Sequence, residues 1–122
     1  MAAMALIDIP GMQLEVVALP APASGAAPRQ PIVFLHEGLG SVAMWRDWPA
    51  AVCEATGRAG WVYSRRGYGQ SSPTPGKLPP DYLHREAWEV LPALLEHLGV
   101  QQPVLLGHSD GASIALLHAS RF

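Results

Sequence analysis

Cysteine is nearly absent from this chain: Cys53 stands alone among 122 residues. One thiol excludes an intrachain disulfide and any metal cluster built from thiolates. The five histidines, His36, His84, His97, His108 and His118, show no H-E-x-x-H spacing, so no metal site and no cofactor are expected. Charge is sparse too, with 15% charged residues and a net charge of −2. Arg65-Arg66 is the one adjacent basic pair, and without a basic stripe no nucleic-acid partner is expected. The N-terminal stretch Met1 to Leu19 lacks a basic leader, and Asp8 and Pro10 break its apolar residues. It reads as neither a signal peptide nor a membrane span. A soluble cytoplasmic protein is the expectation, and the single cysteine agrees with it. Apolar residues, by contrast, make up 49% of the chain. That content and length suit one packed domain that buries roughly two-thirds of its unfolded surface.

Short apolar runs alternate with amphipathic ones. Ala5–Ile9 and Met12–Leu19 flank Pro10-Gly11 and predict a hairpin. In the second strand Leu14, Val16 and Ala18 alternate with Gln13, Glu15 and Val17, so one face begins polar. Pro20 to Pro31 reads as a surface loop. Ile32–Leu35 is a continuous apolar run, as in a strand covered on both faces. Trp45, Trp48, Val52 and Ala55 fall at helical spacing, and Pro49 places the helix start near Trp48. Trp61–Ser64 is a further strand. Asp81 is positioned to cap a helix from Tyr82 to Leu98, which Pro92 should kink and Gly99 should end. Val104–Leu106 is the last strand. Strands alternating with helices imply an α/β fold with a parallel sheet covered on both faces.

The last strand runs into Gly107-His108-Ser109-Asp110-Gly111, and an amphipathic run follows. A strand, a sharp turn bearing serine and then a helix make G-x-S-x-G a nucleophile elbow. Side chains two residues either side of the serine would strike backbone, and Gly107 and Gly111 remove them. The helix N-terminus turns free N–H groups toward Ser109, and the N–H of Asp110 is placed to donate to an oxyanion. The blander reading is a glycine-rich turn with a helix-capping serine. A second glycine-rich loop, His36-Glu37-Gly38-Leu39-Gly40-Ser41, follows a buried strand. Acyl-transfer sites draw a second oxyanion N–H from such a loop. Gly38 is the expected donor, with Leu39 next. Losing one donor typically costs ~10²–10³ in rate.

Three segments together resemble the α/β-hydrolase family: Phe34 to Ser41 with Trp45 beyond it, Arg66-Gly67-Tyr68-Gly69-Gln70-Ser71, and Leu106 to Gly111. The resemblance implies an eight-stranded, mostly parallel sheet and a Ser–acid–His triad. It makes Arg66 to Ser71 and His36 structural. The family usually has His-Gly in the first loop, whereas here Glu37 follows His36. Serine rather than aspartate at position 109 argues against dehalogenase chemistry.

In that family the acid and the histidine follow the elbow. Residues 111–122 contain no acid, and His118 is the one later histidine. It lies about 13 Å along the helix from Ser109, at ~1.5 Å per residue, too far to act as base. His108 should point away from the serine, and His84 and His97 read as exposed helix residues. Loss of a triad histidine costs about 10⁶ in kcat in subtilisin. The 122 residues alone are therefore expected to be close to inert, with the elbow strand left as an apolar edge open to self-association.

Two explanations fit. Residues 1–122 form the N-terminal part of a longer α/β-hydrolase domain, or they form a complete chain that needs a partner or is inactive. The first is the working expectation: a serine hydrolase acting on a small-molecule ester, thioester or amide, with Ser109 as nucleophile. The rival is an inactive fragment or a binding module of the same fold. Glu37 and Asp110 could act on water or steer a cationic substrate, but solvation of a loop and a helix terminus explains them as well. Cys53 and the tryptophans Trp45, Trp48 and Trp88 read as packing residues. Arg65 and Arg66 read as loop ion-pair partners or as contacts for a substrate anion.

Overall fold

The computed structural model describes residues 3–23 and 27–122. Residues 24–26, part of the expected Pro20–Pro31 loop, and residues 1–2 lie outside the described residues. Five strands form one sheet: β1 (Ala3–Ile9), β2 (Met12–Leu19), β3 (Ile32–Leu35), β4 (Gly60–Tyr63) and β5 (Val104–Gly107), in the order β1-β2-β4-β3-β5. β1 and β2 form the expected hairpin, in which Asp8 pairs with Gln13 and Gly11 takes φ 86° at the turn. β2 runs antiparallel to β4, whereas β3 runs parallel to both β4 and β5. All four residues of β3 are buried, as a strand covered on both faces requires.

Two apolar clusters fill the two faces. One gathers Leu14, Val33, Leu35, Leu91, Leu94 and Ile114 beneath the long helix and the last helix. The other gathers Leu19, Ile32, Phe34, Val62 and Cys53 under α1 (Trp48–Thr56). Burying one such side chain contributes about 1.5–3 kcal/mol. A short 3₁₀ turn, Ala43–Trp45, precedes α1, and the two are separated at Arg46, whose φ is 56°. Trp45 stacks on Trp48 with ring centres 5.6 Å apart, and both rings meet Phe34 edge-on.

The long helix differs from expectation in two ways. α2 (Tyr82–Arg85) and α3 (Leu91–Leu98) are joined by a π-helical stretch, Glu86–Val90. Leu91 N–H reaches back five residues to the Glu86 carbonyl. Pro92 carries no N–H, so it removes the ordinary bond to Trp88, and the chain widens into a π turn just ahead of it. Asp81 makes no capping bond; its carboxylate accepts from Arg85 Nε at 3.0 and 3.1 Å instead. Gly99 ends α3 at φ 70° as expected.

Glu15 corrects the reading of β2. It belongs to the polar half of the alternation, yet it is buried. The turn from Arg66 to Ser72 folds over the strand: Glu15 Oε1 accepts from Ser64 Oγ at 2.8 Å and from Gln70 N–H at 3.2 Å. Glu15 N–H donates to Ser71 Oγ at 2.8 Å. Gly69, at φ 52°, passes so close to Glu15 and Ser64 that a side chain there would collide with both. At the far side of the sheet β5 is the edge strand, with Val104 exposed.

Candidate active site

β3, β4 and β5 deliver their C-terminal ends to one side of the sheet, and the residues singled out above follow those ends. β5 leads through His108, whose N–H continues the pairing by donating to the Leu35 carbonyl at 3.1 Å. Ser109 then takes φ 55° and ψ −115° before α4 (Asp110–Ala119) begins. That conformation is strained for a residue with a Cβ. Ser109 is exposed, and it makes no side-chain capping bond to α4. The capping-serine reading therefore lacks its contact.

Neither elbow glycine has room for a side chain. A Cβ on Gly107 would strike the carbonyl of Gly111, and one on Gly111 would strike the carbonyl of Leu35. In both cases the obstacle is backbone, which cannot swing aside. The turn is thereby wedged between the end of β3 and the start of α4.

The loop after β3 is held from below. Arg65, buried at the end of β4, donates Nη1–H to the His36 carbonyl and Nη2–H to the Glu37 carbonyl at 3.2 Å. Its backbone N–H donates to His36 Nε2 at 2.9 Å. His36 must then carry its proton on Nδ1, which donates to the Glu37 carbonyl at 2.6 Å. Burial and the nearby Arg65 charge lower the His36 pKa to about 4, so the ring is neutral. The Glu37 carbonyl also accepts from Gly40 N–H at 3.1 Å. In a trans peptide the N–H of Gly38 points opposite to that carbonyl, away from Arg65. Among the described residues no acceptor is found for the N–H groups of Gly38, Leu39 or Asp110.

Asp110 joins the elbow to this loop. Its Oδ2 accepts from Tyr82 Oη at 3.0 Å and lies 3.9 Å from Arg65 Nη2. A Cβ on Gly38 would sit 2.9 Å from the same oxygen. The hydrogen bond to Asp110 raises the Tyr82 pKa. Glu37 turns outward, with Oε2 3.9 Å from His108 Nδ1.

The histidines separate as expected. His118 is buried, and its Nδ1–H donates to the Ala87 carbonyl at 2.9 Å, so it holds α4 on the π turn. His84 and His97 are exposed, and His84 rests against Trp88. Among the described residues no group of three metal-ligating side chains converges. No helix among them is long and apolar enough to cross a membrane.

The sequence reading missed the part played by Arg65 and Tyr82. Arg65 was read as a loop ion-pair partner or a contact for a substrate anion, but its main partners are the carbonyls of His36 and Glu37. An arginine directly after a buried strand, with no acidic neighbour in sequence, was the available signal. Tyr82 gave none, because its partner lies 28 residues away.

A family model described as the alpha/beta hydrolase fold matches residues 30–122. The proline iminopeptidase of Clostridium botulinum is 36% identical over 95 residues, covering 77% of this chain and 31% of that protein. The proline iminopeptidase of Lactobacillus helveticus is 34% identical over 91 residues, covering 74% of this chain and 30% of that protein. An epoxide hydrolase mutant of Vigna radiata superposes with a TM-score of 0.77 at 21% identity, over 98% of this chain and 35% of that one. The haloalkane dehalogenase DatA of Agrobacterium tumefaciens C58 gives a TM-score of 0.75 at 25% identity, over 98% of this chain and 37% of that one. The chain thus spans about a third of the length of these relatives. Sheet order, the strained serine between two side-chain-free glycines and the match over residues 30–122 agree: the chain belongs to the alpha/beta hydrolase fold family.

Proposed function

We propose that these residues carry the nucleophile and oxyanion-binding half of a serine hydrolase. Ser109 Oγ attacks the carbonyl carbon of an ester, thioester or amide. The negative charge on the carbonyl oxygen is then met by the N–H groups of Gly38 and Asp110. α4 adds the partial positive charge of its N-terminus. The observation that carries this reading is the backbone of Ser109, held at φ 55° with its side chain uncommitted. Strain of that kind persists where function uses it. The curated relatives named proline iminopeptidase support the amide end of the substrate class.

The general base and its acid come from outside these residues. Among the five histidines, His36 is neutral with both nitrogens engaged, His118 is tied to Ala87, and His84 and His97 lie on helix surfaces. His108 faces Glu37. Without a base the serine is a weak nucleophile.

A fluorophosphonate probe tests the proposal. A form of the protein that includes a base and an acid should label at Ser109, and S109A should remove the label. The 122-residue chain should label more slowly by a factor on the order of 10⁶. A folded form that includes them and fails to label overturns the role of Ser109.

A further inference from the structure

A cavity of about 420 Å³ lies between the loop of residues 65–79 and the helix that starts at Tyr82, within the range of small-molecule sites. Leu78, Val90 and Met12 give it apolar walls; Tyr68 and Tyr82 add aromatic ones. Tyr82 links it to the residue after Ser109: Tyr82 lines the cavity, and its hydroxyl donates to Asp110. Arg65 lines the same cavity and also approaches Asp110. The cavity therefore lies one tyrosine side chain away from the elbow.

Its charge is uneven. Arg65 is committed to the carbonyls of His36 and Glu37, and Arg85 is bridged by Asp81. Arg66 donates Nε–H to the Pro73 carbonyl at 3.1 Å, but its terminal nitrogens find no partner among the described residues. Neither does the exposed Lys77 ammonium. Against these two cations stands one exposed carboxylate, Glu89. Glu86, the other acid in the lining, is buried with Oε2 accepting from Tyr63 Oη at 2.7 Å. Burial raises its pKa, and it faces Tyr63 rather than the cavity rim. Glu86, Glu89 and Val90 all lie on the π turn, an irregularity often found at functional sites.

Resting on the Ser109 reading, we propose that this cavity receives the part of the substrate remote from the scissile carbonyl, an apolar group ending in a carboxylate. The apolar body lies against Leu78, Val90 and Tyr82, and the carboxylate meets Lys77 and Arg66 at the rim.

The test is a titration of the ¹⁵N-labelled chain with 4-phenylbutyrate, followed by amide shifts. Saturable shifts should gather at Tyr82, Glu86, Val90 and Lys77. K77E should weaken binding by on the order of tenfold, as loss of one charge-assisted contact implies. Because Lys77 is exposed, the variant should keep the wild-type pattern of dispersed amides. The amine 4-phenylbutylamine should not compete. Absence of saturable shifts, equal binding of the amine, or unchanged affinity in K77E overturns the proposal. Binding is read without turnover: a protein that binds the probe but never labels at Ser109 refutes catalysis alone, and one that labels but does not bind refutes this pocket alone.

Discussion

Acidification should unlock the loop after β3, and His36 is where it starts. The ring is buried at 2% exposure, and both nitrogens are used. Nε2 accepts from Arg65 N–H, so adding a proton there breaks that bond and places a cation beside the Arg65 guanidinium. Burial first, and Arg65 second, lower the folded-state pKa from 6.5 to about 4. The unfolded chain then binds the proton more readily, so stability falls as pH drops below 6.5 and continues to fall until the folded pKa is reached. Above pH 6.5 the contribution is fully present. The gap is worth roughly 3 kcal/mol at about 1.4 kcal/mol per pKa unit. Equilibrium urea unfolding of wild type and H36Q between pH 7.5 and pH 4.5 isolates this contribution, since the carboxylates titrate alike in both. The wild type should lose about 2–3 kcal/mol more than H36Q over that window. The imidazole ¹⁵N signals of folded protein should still show a neutral, Nδ1-protonated ring at pH 5. Parallel loss of stability in the two proteins, or a folded His36 that titrates near 6.5, refutes the reasoning.

Gly111→Ala should cost at least about 3 kcal/mol in urea unfolding, because its Cβ meets the Leu35 backbone, whereas Gly99→Ala, strained but in open space, should cost about 1 kcal/mol. Ser109→Gly should stabilise the chain by about 1 kcal/mol by relieving the positive φ, while fluorophosphonate labelling at that position disappears. Tyr82→Phe should cost about 1 kcal/mol and shift the Gly38 amide resonance, because Asp110 Oδ2 loses its donor beside Gly38. Burial raises the Glu86 pKa, so its contribution to stability declines as pH climbs through and above the ordinary carboxylate range. Glu86→Gln should flatten that decline in pH-dependent unfolding.

Most of the fold was legible because its elements announce themselves locally. Pro10-Gly11 marks the hairpin, the four apolar residues of β3 mark a strand covered on both faces, and Gly99 marks the end of α3. The misreadings came where a distant segment overrode a local pattern. Alternation turned Glu15 outward, but the Arg66–Ser72 turn returns to cover it from more than fifty residues away. Asp81 had the position and chemistry of a cap, yet Arg85, one helical turn on, offered a charged donor and took the carboxylate. Pro92 was read as a kink, and the helix met the missing N–H by widening into a π turn instead.

The candidate site divides along the same line. Gly107, Ser109 and Gly111 were legible because each answers to its immediate neighbours in one tight turn, and a side chain at either glycine is excluded by backbone. Orientation of the Gly38 N–H was not legible. It follows from the Glu37 carbonyl being held by Arg65, His36 and Gly40, and Arg65 lies 28 residues further along the chain. Hydrogen bonds to that one carbonyl fix a donor on the opposite side of the same peptide. Preorganisation of this kind asks for no particular residue at position 38 beyond one small enough to leave Asp110 Oδ2 in place. Glu37 can therefore stand where the family usually has glycine: its side chain turns toward His108 and solvent, and only its carbonyl takes part in the clamp. The loop reads its geometry from backbone carbonyls and from Arg65, which is why a motif search finds the turn at Ser109 and passes over the residue that aims the N–H opposite it.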